Sequence, residues 1–310
     1  MFRSPGKDLT NLCQQAKGEV LLVAPFIKVD SLKKIFASIP PEVEKIMVIT
    51  RWIPKEIASG VSDLEIFDLI TKRPNATLLL HPCLHAKYYR ADTSCLVGSA
   101  NITATALGWC QIANIELLVE VNPEAKIIKD MELHLSTYSI TATDSMRAAM
   151  QIEVDALKLK MKDLQIEDER TEIRLNSIWL PTCNKPEYLY KIYSGQDTSN
   201  LLSSVIKAGE LDISALSLVP GMSEDSFQKY ISAIFENTSI ALEIQEITKG
   251  TGATDEAAEA IIKKYCDQMT TPIYDSDIYW GIFKKWMMYF FPKRYRIRAA
   301  AEVLEMAKEI

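Results

Sequence analysis

Between Leu84 and Asn101 the chain reads LHAKYYRADTSCLVGSAN, which sets His85, Lys87 and Asp92 in the spacing HxKxxxxD and then Gly98, Ser99 and Asn101 as GSxN. On an extended chain, side chains two apart share a face, so His85 and Lys87 project the same way. An imidazole beside an ammonium suits attack on phosphorus, whose oxygens need a cation as negative charge builds on them. Gly98 lets the backbone turn, and Ser99 and Asn101 offer short polar donors. The TATALG that follows reads as a helix start whose free N–H groups face an anion. The plainer alternative is an ordinary hairpin carrying a stray histidine.

The elements that must hold these residues are legible on either side. Alternation predicts a strand from His85 to Arg90, a turn at Ala91 to Ser94 and a second strand from Cys95 to Val97. Upstream, Glu19 to Ile27 reads as a strand buried on both faces, Ser31 to Ala37 as a helix and Glu44 to Thr50 as the next strand. Ser62 to Lys72 reads as a helix with Ser62 as N-cap and Glu65 at the capping-box position, and Ala76 to Leu80 as a third strand. Asp63 and Glu65 are taken as helix-start residues rather than catalytic acids, because the helix dipole accounts for them. Strands alternating with helices imply an α/β sandwich, and ligands in such sheets sit at strand ends. That rule singles out Arg51 and Trp52 at the end of the second strand, one to grip a phosphate and the other to stack on a base. The competing reading packs Trp52 under a loop and leaves Arg51 solvated.

The His85 stretch resembles the active-site motif of the phospholipase D superfamily, whose HKD signature is followed by GSxN. Asn114-Ile115-Glu116 and the run LLVEV resemble the strand that follows this motif with its acidic residue, and the match spans roughly the first 130 residues. The resemblance implies a phospholipase D-like α/β sandwich with a mixed sheet. It also implies catalytic roles for His85, Lys87, Asp92, Ser99, Asn101 and Glu116, with Asp92 behind the site and Glu116 orienting the histidine ring. The superfamily uses one histidine from each of two HKD motifs, whereas this chain has histidines only at 81, 85 and 134. His134 lies in ELHLSTYS with Ser136 where the lysine would stand, so these residues hold no second motif. The expected solution is a homodimer with the active site on its twofold axis, where both copies of His85 meet. No metal and no cofactor are expected, since the histidine is the nucleophile and lysines supply the positive charge.

Single-motif members are typically nucleases, which points to nucleic acid as substrate, with DNA expected ahead of RNA. The resulting expectation is a metal-independent endonuclease in a restriction or phage-defence setting, with a helicase or methyltransferase as candidate partner. The alternatives are a phospholipase-type phosphodiesterase, or a nucleic-acid-binding subunit whose site is silent without a partner.

Composition bounds these readings. The 310 residues allow two domains, and the net charge of −6 makes any nucleic-acid surface a local patch. The N-terminal stretch has no apolar signal-peptide core and no run is long enough to span a membrane, so a cytoplasmic protein without a membrane partner is expected. The six cysteines form no CxxC pair and are expected to be free thiols. A zinc site at His81, Cys83 and His85 is disfavoured because no second ligand pair follows.

The expected organisation is a catalytic domain over 1–140, a helical linker over 141–170 that is a candidate dimer contact, and a largely helical domain over 171–310 for target or partner recognition. Pro123 to Tyr138 and Asp144 to about Glu169 read as helices. Met150, Val154, Leu157, Met161 and Leu164 form a short heptad seam that either packs on its own chain or pairs with another. Further helices are expected at Leu201 to Lys207, Glu224 to Thr248 with interruptions, Asp255 to Met269 after Thr254 as N-cap, Asp277 to Phe291 and Arg294 to Lys308. Lys284, Lys285, Lys293, Arg294, Arg296 and Arg298 interleave with aromatics there, either as a strand-binding patch or as solvated charges around an aromatic core.

Overall fold

The computed structural model describes residues 4–163, 178–249, 253–269, 272–298 and 303–306. They fall into two compact units, Met1–Ile166 with Val219–Met222 and Glu167–Leu218 with Ser223–Ile310.

In the first unit the chain runs α1 (Pro5–Gln14), β1 (Glu19–Val23), α2 (Val29–Ser38), β2 (Lys45–Thr50), α3 (Pro54–Ala58), α4 (Ile66–Thr71), β3 (Ala76–Leu80), β4 (Lys87–Ala91) and β5 (Ser94–Gly98). It continues through α5 (Ala104–Leu107), β6 (Leu118–Val121), α6 (Lys126–Tyr138), β7 (Ile140–Thr141) and α7 (Asp144–Asp163). The strands form one mixed sheet in the order β6-β5-β4-β1-β2-β3-β7. β1, β2 and β3 are parallel neighbours joined by helical crossovers, and the remaining pairings are antiparallel. β1 is the centre of the core, with Val20, Leu22 and Val23 fully buried, as a strand covered on both faces must be.

One consequence of this topology is chemical. β4 runs against β1 with Val23 opposite Tyr88, so the start of β4 lies at the same end of the sheet as the close of the parallel strands. Lys87 pairs with Gly98, and Gly98 pairs with Leu118 on its other side. The ends of β2 and β5 and the starts of β4 and β6 thus meet at one edge, bringing Arg51, His85, Ser99 and Glu116 to the same end of the sheet.

Several local expectations are corrected. The helix expected from Ser62 begins only at Ile66, because the Ser62 hydroxyl is taken by the Ile27 backbone at 3.3 Å and no capping box forms. Asp63 instead accepts from Val29 N at 2.8 Å, satisfying the first turn of α2, and pairs with Lys28. α3 was not anticipated, although Pro54 stands at its first position. α6 starts three residues after Pro123. On α7, Met150 and Val154 are buried and the helix packs along α3, so this part of the seam serves its own unit. The side chain of Met161 and all of Leu164 lie outside the described residues.

The second unit contains a short 3-10 turn at Pro186–Tyr188, then α8 (Leu189–Tyr193), α9 (Ser203–Ala215), α10 (Glu224–Glu236), α11 (Ser239–Thr248), α12 (Asp255–Cys266) and α13 (Ser276–Phe290). Ser223, Thr238 and Thr254 cap α10, α11 and α12 by accepting from the third residue on. The helix expected from Arg294 to Lys308 is absent from the described residues. In its place β8 (Tyr295–Arg298) pairs antiparallel with β9 (Val303–Met306). Tyr295 and Leu304 carry the burial of this hairpin, while Arg296 and Ile297 are exposed. Trp280, Phe283, Trp286 and Phe290 form the core face of α13, as aromatics at helical spacing do. Asp212 is 1 % exposed and ties Trp179, Thr182 and Cys183 together by accepting from their N–H groups and the Thr182 hydroxyl.

Candidate functional site

β4 begins at Lys87, two residues after His85, so the histidine stands on the segment leading into the sheet rather than inside it. His85 is exposed, whereas Lys87 is only 8 % exposed. The Lys87 ammonium donates to the carbonyl of His85 at 2.7 Å. Burial holds the Lys87 pKa below the usual lysine value, the positive charge of Arg51 adds to this, and Glu116 opposes it. Lys87 therefore feels both Arg51 and Glu116. It is a partly desolvated cation bonded to the main chain of an exposed histidine.

The GSxN segment is tied to its surroundings through several main-chain groups on and beside it. Ser99 N donates to Leu117 O at 3.0 Å, the Tyr89 hydroxyl donates to Ala100 O at 2.6 Å, and Ile102 exchanges bonds with Phe26 O and Lys28 N at 3.2 and 2.9 Å. Gly98 is required by close approach and not by a turn. A Cβ there would lie 1.7 Å from Leu117 O, so only glycine lets the β6 strand come this near. The Ser99 hydroxyl donates to Glu116 and accepts from Leu117 N at 3.1 Å, while Asn114 Nδ2 donates to the other Glu116 oxygen at 3.2 Å. Ser99 thus directs its hydroxyl proton at Glu116 and links that carboxylate to the Leu117 main chain. Asn101 Oδ1 is buried and accepts no hydrogen bond among the described residues. The α5 start offers no anion site, since this helix has four residues and the Thr103 hydroxyl already accepts from Ala106 N at 3.2 Å. Beside Glu116 a hollow of about 360 Å³ opens, lined by Pro5, Gly108, Ala113 and Ile115 among others.

Other expected site residues stand elsewhere. Asp92 follows the far end of β4, roughly 16 Å from Lys87 at about 3.3 Å per strand residue. Its carboxylate accepts from Lys17 N, Gly18 N and Glu19 N at 2.8, 2.9 and 2.8 Å, and these bonds, Glu19 N foremost, hold its pKa below the ordinary carboxylate value. Asp92 fastens the start of β1 to the β4 turn, at the end of the strand away from Lys87. Trp52 is fully buried edge-on against Phe67, which removes it as a base-stacking surface. Arg51 is neither solvated nor open. It forks onto Glu56, with Nε to Oε2 at 3.1 Å and Nη2 to Oε1 at 2.5 Å, and donates through Nη1 to Leu84 O at 3.0 Å. Glu56 was missed in the sequence, where the available signal was an acid in the first turn after Pro54.

In the second unit, Lys293 and Arg296 are exposed, Arg294 pairs with Glu236 and lies 5.2 Å from the Phe291 ring, and Lys284 pairs with Asp255 at 2.8 Å. Arg298 ends β8, and its side chain lies outside what is described.

The zinc reading of His81, Cys83 and His85 fails on geometry. The His81 ring is 3 % exposed and packs 5.2 Å from the His134 ring, and among the described residues no cluster of three such side chains is placed to hold a metal ion. Among the described residues neither His81 ring nitrogen has a hydrogen-bond partner. Burial first and His134 second push its pKa down to about 4. An unfolded histidine titrates near 6.5, so the native state resists protonation and stability is lost as pH falls from about 6.5 to about 4, by on the order of 3 kcal/mol. Thermal melts of His81→Phe should show a shallower acid loss across that window than the parent chain. Equal slopes would assign the acid sensitivity to other groups.

No protein-family model matches the sequence and no curated protein matches it. Among solved structures, the chain is similar to NucT from Helicobacter pylori at 16 % identity, over 42 % of this chain and 84 % of that one, with a TM-score of 0.32. It is similar to Nuc from Salmonella typhimurium, described as a phospholipase D family member, at 16 % identity over 44 % and 90 % of the two chains, with a TM-score of 0.36. It is also similar to the phosphatidylserine synthase of Haemophilus influenzae Rd KW20 at 12 % identity over 51 % and 41 %, with a TM-score of 0.37.

Proposed function

We propose that this chain is a phospholipase D-like, metal-independent phosphodiesterase that cleaves nucleic-acid phosphodiester bonds through a phosphohistidine at His85. The observation that carries the reading is the assembly, at one end of the sheet, of exposed His85, desolvated Lys87, and Asn101 and Glu116 on main chain pinned from several sides, in HxKxxxxD and GSxN order. The His85 imidazole attacks phosphorus as the bond to the leaving oxygen breaks, and a second imidazole protonates that oxygen. Water, deprotonated by the second imidazole, then cleaves the phosphorus–nitrogen bond and frees His85. Lys87 and the Asn101 amide stabilise the nonbridging oxygens, and Glu116 supports the imidazolium form. In this reading the second imidazole comes from His85 of another copy, as the superfamily resemblance of a single-motif stretch implies.

The substrate class, the twofold dimer and the defence setting with a helicase or methyltransferase partner rest on the superfamily resemblance of a single-motif chain. Exposed Lys293 and Arg296 are candidates for strand contact in the second unit. No described helix is long and apolar enough to cross a membrane.

Plasmid, single-stranded DNA, RNA and phosphatidylcholine vesicles, each incubated in EDTA, separate the readings. Nucleic-acid cleavage is expected, with activity per parent site strongly reduced when parent chains are mixed with an excess of His85→Ala chains. Lipid turnover alone would replace the nuclease reading by a phospholipase. Fully retained activity per parent site in the mixture would remove the shared site.

A further inference from the structure

Both peptide groups that flank His85 are held by cations. The carbonyl before it, Leu84 O, accepts from Arg51 Nη1 at 3.0 Å, and the carbonyl after it, His85 O, accepts from Lys87 Nζ at 2.7 Å. Peptide groups are planar, so fixing the direction of two successive carbonyls fixes both backbone torsions of the residue between them. The anchor behind the first clamp is firm. Leu84 is 3 % exposed, its N–H donates to His81 O at 3.3 Å, and His81 N donates to Thr50 O at 2.8 Å at the end of β2. Arg51 begins one residue later, and its own direction is set by the two-point fork to Glu56 on α3 and by the Phe26 ring 5.2 Å away. The Arg51 and Glu56 side chains are only 16 % and 14 % exposed.

From these contacts we infer that Arg51, aimed by Glu56, is a positioning residue that sets the attack geometry of His85. This assignment rests on the proposed role of His85. Three of the five guanidinium protons are engaged, Nε and one Nη2 proton by a carboxylate and one Nη1 proton by a carbonyl, and the side chain is only 16 % exposed, so most of its capacity faces the protein rather than a substrate. The His85 side chain meets solvent, while its main chain is held from both sides.

Arg51→Lys keeps the charge but cannot bond Glu56 through a fork and Leu84 O at once. Small misplacement of a nucleophile costs up to about 100-fold in rate, so kcat should fall by roughly 10- to 100-fold with KM changed by less than about threefold. The chain has only three histidines, which makes the imidazole NMR spectrum easy to read. The His85 resonances should shift or broaden in Arg51→Lys, with His81 and His134 unmoved. Glu56→Gln, which leaves Arg51 in place but loosens its aim, should show a weaker version of both effects and serves if Arg51→Lys folds poorly. A KM raised about tenfold or more with kcat retained would make Arg51 a substrate ligand instead. An unperturbed His85 spectrum in both variants would overturn the inference. Should the parent chain turn over no phosphodiester at all, the proposed function fails while the NMR comparison still decides the positioning role.

Discussion

Replacing His85 by alanine is expected to lower phosphodiester cleavage by about 10⁴-fold or more while leaving the fold intact. The magnitude follows from the role: without the nucleophile there is no covalent route, and only the cationic surroundings remain to assist water. The fold is expected to survive because the His85 side chain is exposed and core packing at this position is carried by the neighbouring Leu84. Surface changes of that kind shift stability by no more than about 0.5 kcal/mol. Turnover and thermal melting measured on one preparation test both halves of the statement. Retained turnover would remove His85 from the chemistry, and a large drop in melting temperature would leave its role in catalysis to be separated from folding by a second variant such as His85→Gln.

Asp92→Ala should do the reverse. Its carboxylate satisfies three consecutive backbone N–H groups at the entrance to β1, and Asp92 itself sits at φ 50°, a backbone region that aspartate tolerates better than alanine. Losing three charge-assisted bonds and adding torsional strain should cost about 3 kcal/mol, a fall in melting temperature of roughly 6–12 °C for a unit of this size. Asp92→Asn, which keeps an acceptor and the tolerance for positive φ, should lose about half as much. Below their melting temperatures both variants should turn over substrate at close to the parent rate, because Asp92 lies at the opposite end of β4 from Lys87. Normal melting with abolished turnover in Asp92→Asn would return this residue to the catalytic machinery.

The contrast between these two motif residues shows where sequence reasoning reaches and where it stops. Local pattern suffices for the existence of β1, β2 and β3, although the first strand stops at Val23 rather than Ile27, and for the capping of α12 by Thr254, where the acceptor is three residues from its donor. It does not place His85, which is expected on the strand but precedes it, exposed, while Lys87 opens the strand buried. It fails wherever a polar side chain is captured by a distant partner. Ser62 resembles an N-cap until Ile27 takes its hydroxyl, and the Ser99 hydroxyl links Glu116 to the Leu117 main chain. Arg51 and Trp52 follow the same rule. One is claimed by Glu56 and the Leu84 carbonyl and the other by the core, and neither partner is adjacent in sequence. The hairpin of β8 and β9 was missed for a different reason, namely that its strands are four residues each and the helical pattern of α13 runs directly up to them.

The central claim is that His85 becomes covalently bound to phosphorus without help from a metal ion. Parent chain in EDTA, mixed with an oligonucleotide radiolabelled at phosphorus, quenched in denaturant at alkaline pH and digested, should yield a labelled peptide containing His85, with none in the His85→Ala control. Cleaved oligonucleotide accumulating in EDTA with no label on His85 at any time point, or cleavage only after a divalent cation is added, would contradict the account.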